Sequence, residues 1–173
     1  FSNLLKAVDK LINAGYDIIP VFSYNVSSLD TRFYKQADFE KLIVEKTGKT
    51  PVKTIVEAET ITKSGIELML VAPCTGNTLA KIVNGITDTP TTMAVKATLR
   101  TNKPVVLSIS SNDALGANAK NVGIALNTKN LYLVPFGQDA PTNKPHSLIA
   151  DTTLILPTIE KADQHEQIQP VIL

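Results

Sequence analysis

Residues 71–90 read VAPCTGNTLAKIVNGITDTP, and Thr75, Gly76, Asn77 and Thr78 follow directly on an apolar run that stops at Pro73. Short polar side chains at a strand-to-helix junction have two uses. An oxygen of Thr75 or Asn77 can accept from a backbone N–H of the first turn, a helix cap worth about 0.5–2 kcal/mol. The same free N–H groups, with the positive end of the helix dipole, can instead hold an anionic ligand. Gly76 would let such a ligand approach the backbone closely. Both uses stay open on the sequence.

Other reactive side chains are sparse. Cys74 is the only cysteine, and a nucleophilic thiolate needs a base or an electropositive setting nearby. The two histidines, His146 and His165, stand far along the chain in polar surroundings, so Cys74 reads as a small buried hydrophobe at a strand end. His146 precedes the last expected helix and could approach a ligand face; His165 reads as solvated. Glu57 and Glu59 alternate in IVEAETI, which sets them on one side of an extended segment, where paired carboxylates could exchange protons. An exposed, solvated face is the commoner explanation of such a pair. No phosphate-loop, dinucleotide or nucleophile-elbow motif is present, and no metal-ligand spacing.

These residues need elements to position them. Leu4, Leu5, Val8, Leu11 and Ile12 repeat at helical spacing before Gly15. Residues 16–23 (YDIIPVFS) read as a buried strand interrupted by Pro20, and a helix is expected over 36–47. Residues 66–74 form the strongest strand, followed by a helix over 75–86 with Leu79, Ile82, Val83 and Ile86 inward. A helix over 90–101, a strand over 103–110, a helix over 114–128, a strand over 130–136 and a last helix over 147–163 complete the pattern.

Near-continuously apolar strands separated by helices predict an α/β fold: a Rossmann-like open parallel sheet with helices on both faces. The chain, 1–173, reads as one domain. It starts inside a helix, and a strand and loop are expected ahead of Phe1. Ligands of such sheets bind beyond the carboxyl ends of the strands. That surface would gather Ser23–Ser28, Pro73–Thr78, Ser108–Asp113 and Pro135–Asp139.

Composition excludes several partners. A net charge of +1 and the lack of any Lys/Arg run give no footprint for nucleic acid. No apolar stretch approaches the roughly 18–20 residues of a membrane helix. A single cysteine suits a reducing compartment.

The same stretch carries a resemblance. Pro73-Cys74-Thr75-Gly76-Asn77-Thr78, then Leu79 through Asp88, resembles the flavoprotein family of Rossmann-like FMN binders. Its phosphopantothenoylcysteine and peptidyl-cysteine decarboxylases carry Pro-Ala-Ser-Ala-Asn-Thr followed by Ala-Lys-Ile-Ala-x-Gly-Ile-x-Asp. Its flavin prenyltransferases carry a Pro-Cys-Ser version. The resemblance implies FMN as cofactor, with Ser23, Pro73, Thr75, Gly76, Asn77, Thr78 and, more loosely, Arg100 in contact with it. Asn77 falls on the motif's Asn and Thr75 on its Ser.

Departures from the family pattern are specific. The cysteine decarboxylases use a histidine between their second and third strands, and residues 24–65 contain none. Their Ala-Met-Asn-x-x-Met clamp stands here as SSNDALG (110–116). Thr101 replaces an acidic residue of the prenyltransferases.

A narrower likeness within the family spans 23–33, 72–90, 94–116, 128–141 and 168–173. It implies one subunit of a two-subunit oxidoreductase in the cytoplasm of a sporulating bacterium's mother cell. NAD(P) would then sit on the partner subunit, and the chain itself would form a homo-oligomer. The ligand implied is a small dicarboxylate near Asn112 and Asp113, although the charge of Asp113 would repel it unless bound through a donor. The alternatives are a stand-alone FMN-dependent decarboxylase or prenyltransferase relative, and an assembly subunit with a vestigial pocket.

Overall fold

The structure, a computed structural model, describes residues 2–31 and 34–173; Phe1, at the start of the first expected helix, and Arg32 and Phe33, within the likeness over 23–33, lie outside the described residues. The central strands are β1 (Met69–Cys74) and β2 (Val105–Ser111). Val105, Val106 and Leu107 are wholly buried, because β2 is covered on both faces and needs apolar residues at consecutive positions. β2 pairs in parallel with β1 and with β3 (Leu131–Leu133), Leu107 matching Val71 on one side and Leu133 on the other.

Helices make the crossovers. α5 (Gly76–Val83) and α6 (Pro90–Arg100) link β1 to β2, and α7 (Ala119–Leu126) links β2 to β3. α6 starts sharply: Thr89 caps Thr92, Thr92 answers in kind, and Pro90 supplies a preset φ at the first position. On the N-terminal side lie α1 (Ser2–Asn13), α2 (Tyr24–Ser28), α3 (Gln36–Thr47) and α4 (Ile55–Glu59). α3 ends as expected at Gly48, which takes the left-handed conformation. Phe22, Phe39 and Ile43 form a small cluster of their own, with the Phe22 and Phe39 rings stacked at 5.4 Å.

Several expectations are corrected. Residues 16–23 form no continuous strand; a single parallel bridge joins Val21 to Val52. Pro20 has no N–H and contributes only its carbonyl, which accepts from Val52 N at 2.9 Å. The sheet is mostly but not wholly parallel. Pro135 breaks the segment 130–136, and the chain continues as β4 (Phe136–Gln138), antiparallel to β5 (Leu148–Ala150), which also pairs antiparallel with the end of β2.

The last helix, α8, is therefore shorter than expected, Ile155–Asp163, because residues 148–150 are strand. α7 begins only at Ala119, since residues 112–118 turn through a string of Asn, Asp and Gly. Ile86 lies beyond α5 and is exposed, not inward. Glu57 and Glu59 sit on α4, not on an extended segment, and residues two apart on a helix do not face each other. Glu57 instead closes a capping box with Thr54.

The free edge of β3 is closed by a side chain. Gln167 Nε2 donates to Leu133 O and Leu133 N donates to Gln167 Oε1, both at 2.8 Å. One amide thus stands in for a residue of a neighbouring strand. The C-terminal segment closes β4 similarly, with Phe136 N donating to Val171 O and Leu173 N to Phe136 O.

Candidate functional site at the carboxyl ends of the central strands

β1 delivers Thr75 to the surface as the N-cap of α5, with φ −72° and ψ 160°. Thr75 Oγ1 accepts from Thr78 N at 3.3 Å and lies 3.1 Å from Thr78 Oγ1. The cap is therefore made. Asn77 is exposed in the first turn, and no side-chain hydrogen bond of Asn77 occurs among the described residues. Cys74, directly before, is fully buried, and burial pushes its thiol up to about 12. It carries no thiolate at neutral pH, which agrees with its reading as a packed hydrophobe.

Beside this tip, the end of β2 sets a second group of polar residues. Ser111 Oγ donates to Asp113 Oδ1 at 2.5 Å, and Asn118 Nδ2 donates to Asp113 Oδ2 at 2.8 Å. Asn121 Nδ2 donates to Asn118 Oδ1 at 2.7 Å. These bonds, the serine hydroxyl first and the Asn118 amide second, hold the Asp113 carboxyl below the usual carboxylate range.

Gly76 joins the two groups. A Cβ placed there would meet Ser111 Oγ at 2.5 Å, Asn118 Nδ2 at 2.7 Å and Asp113 Oδ1 at 2.7 Å. Close approach, not an unusual φ, requires glycine at this position. The space it opens is filled by the chain's own carboxylate.

Of the residues singled out from sequence, the structure brings Thr75, Gly76, Thr78 and Asp113 together, with Pro73, Asn77 and Asn112 exposed at the same strand ends. Ser23 is not joined to them by a hydrogen bond; its oxygen accepts from Val26 N at 3.3 Å and caps α2. Arg100 lies away from them. It ends α6 shortly before β2 begins, which places it toward the amino edge of the sheet. His146 lies beside the turn after β2, its carbonyl accepting from Leu115 N at 2.9 Å. His165 is exposed just beyond α8.

Sequence reasoning missed Asn118 and Asn121, because the expected helix over 114–128 would have presented Asn118 as an ordinary helical residue. The density of Asn and Gly in SNDALGANAKN was the available signal. Arg100 instead lines a groove of about 470 Å³ with Ile82, Ile86, Val95, Lys96 and Leu99. Those walls are mainly apolar, with Lys96 and Arg100 as their charged groups, whereas the strand ends gather hydroxyls, amides and a carboxylate. No group of three metal-ligating side chains exists among the described residues.

The fold and this motif define the class. The chain belongs to the Flavoprotein family, whose model matches residues 2–128. It is 45% identical, over 174 residues, to the B subunit of dipicolinate synthase from Bacillus subtilis (strain 168), covering 100% of this chain and 87% of that protein. The crystal structure of the corresponding B subunit from Bacillus halodurans superposes with a TM-score of 0.90 at 40% identity, over 98% of this chain and 87% of that one. The FMN-dependent cysteine decarboxylase SpaF shares the fold at a TM-score of 0.60 and 19% identity, over 91% of this chain and 90% of its own.

Proposed function

We propose that this chain is the B subunit of a dipicolinate synthase. With an A subunit it forms pyridine-2,6-dicarboxylate by NAD(P)-linked oxidation of a dihydrodipicolinate-type precursor in a sporulating bacterium, in the cytoplasm of the mother cell. The identity of 45% over the whole chain carries this reading. The nicotinamide site belongs to the A subunit, since no dinucleotide fingerprint occurs here. Among the described residues no helix is long and apolar enough to cross a membrane.

The B subunit contributes the polar tip of α5 and the turn after β2, where Thr75, Asn77, Thr78 and Asn112 face a small dicarboxylate or a cofactor. Hydroxyl and amide groups there suit the alternating N–H and C=O edge of a flavin ring, and Asp113 suits a ring N–H. The phosphate of FMN does not fit against Gly76, where Asp113 already stands. When bound, FMN would supply two-electron acceptance; Asn77 and Thr78 would orient its ring.

Asn77→Ala tests the reading in the reconstituted pair of subunits, with dicarboxylate formation followed by its absorbance. The expected result is at least a tenfold loss of rate, about 1.4 kcal/mol of lost stabilisation. An unchanged rate would remove the motif from the chemistry and leave the chain an assembly subunit.

A further inference from the structure

Two charged clusters of opposite sign lack partners within the fold. On α6, Lys96 and Arg100 stand one helical turn apart, both exposed, on the groove that Ile82, Ile86 and Leu99 also line. Neither side chain forms a hydrogen bond or an ion pair among the described residues. Glu59 on α4 lines a small depression beside them and pairs with neither. Ile86, 47% exposed, leaves one apolar wall of the groove open to water.

On α8, Glu160 and Asp163 also stand one turn apart, both exposed and without an ion pair among the described residues. α1 packs on α8, and Tyr16, just past the end of α1, is 39% exposed beside the two carboxylates. Burial first, then the charges of Glu160 and Asp163, raise the Tyr16 phenol above its ordinary value. Nearby lysines do not neutralise this cluster, since Lys161 bonds Glu166 at 2.7 Å and Lys49 pairs with Asp17.

The clusters match in charge, spacing and shape. Each carries two like charges a turn apart, a spacing at which they repel and disfavour their own helix, and an opposed pair relieves both. Each has apolar surface alongside: an aliphatic groove of about 470 Å³ in one, a projecting aromatic ring in the other. Buried aromatic rings and arginines are the groups that carry most binding energy at protein contacts. The groove belongs to α5 and α6 and the ring to α1 and α8, so one copy presents both at once.

We infer that a second copy of this chain docks its Tyr16 into the groove between α5 and α6, with its Glu160 and Asp163 against Lys96 and Arg100. The contact joins unlike patches, so it runs head to tail and closes into a ring or extends. It does not depend on the reading of the strand ends.

Sedimentation equilibrium of the full chain tests the contact. The unaltered chain should associate at micromolar concentration, and less so in about 1 M sodium chloride, where charges are screened within about 3 Å. Lys96→Glu with Arg100→Glu sets like charges against each other, as does Glu160→Lys with Asp163→Lys. Each pair should raise the dissociation constant about tenfold or more. All four changes in one chain restore opposed charge and should restore association. Tyr16→Ala, which alters no charge, should weaken it as well.

A monomeric unaltered chain overturns the inference, whatever other partner the groove then takes. Association that neither reversal weakens also overturns it, and so does a fourfold variant that melts normally yet stays apart. Where a reversal does not fold, Lys96→Gln and Glu160→Gln replace it, singly and together. The double change should then cost less than the two single ones added, and strict additivity overturns the contact.

Discussion

Gly76 and Asp113 bring the first turn of α5 against the turn after β2. Gly76→Ala would push a methyl against Asp113 and the two side chains bonded to it, Ser111 and Asn118, and should destabilise the chain by about 1–3 kcal/mol in urea unfolding. In an Asp113→Ala background, where one of the three partners is shortened, the same change should cost clearly less; the cycle of four proteins measures the coupling. The pH response has a definite sign. A carboxyl depressed by native hydrogen bonds stabilises above its ordinary range near pH 4, and that contribution fades as pH falls through the depressed value. The advantage in melting temperature over Asp113→Asn at pH 7 should therefore shrink at pH 3. Cys74, with its thiol near 12, should resist iodoacetamide at pH 8 until the chain is unfolded.

Among the elements, β3 depends on a borrowed amide. Gln167→Leu would strand the N–H and C=O of Leu133, which is fully buried, and should cost about 1–3 kcal/mol by denaturant midpoint. No periodicity announces such a bond. β1, β2, α3 and α6 were legible because runs of Val, Ile and Leu, or capped amphipathic stretches, leave a local signature. β5 was read as helix because its three residues, Leu148–Ala150, are too short to display a period and owe their state to Gly137 and Ser110 alongside. The site divides the same way. Thr75 and Gly76 could be found from the strand-to-helix junction, whereas Asn118 and Asn121 matter only through partners that the fold brings to them.

Over the whole molecule, the C-terminal segment returns to the sheet. Removing Pro170–Leu173 would unpair both backbone groups of Phe136, itself buried, and should lower the urea midpoint, again by about 1–3 kcal/mol. The N-terminal third is attached differently: Ala7, Leu11 and Ala58 are buried in the main core, while the Val21–Val52 bridge and the Phe22, Phe39 and Ile43 cluster lie within the third itself. Its polar turn at Ser23 is therefore set by aromatic packing and not by strand register. Gly76 and Asp113 lie some forty residues apart, yet a Cβ on the one would meet the carboxylate of the other at 2.7 Å. The junctions after β1 and β2 are consequently matched in size: a bulkier side chain on the first must displace the carboxylate carried by the second.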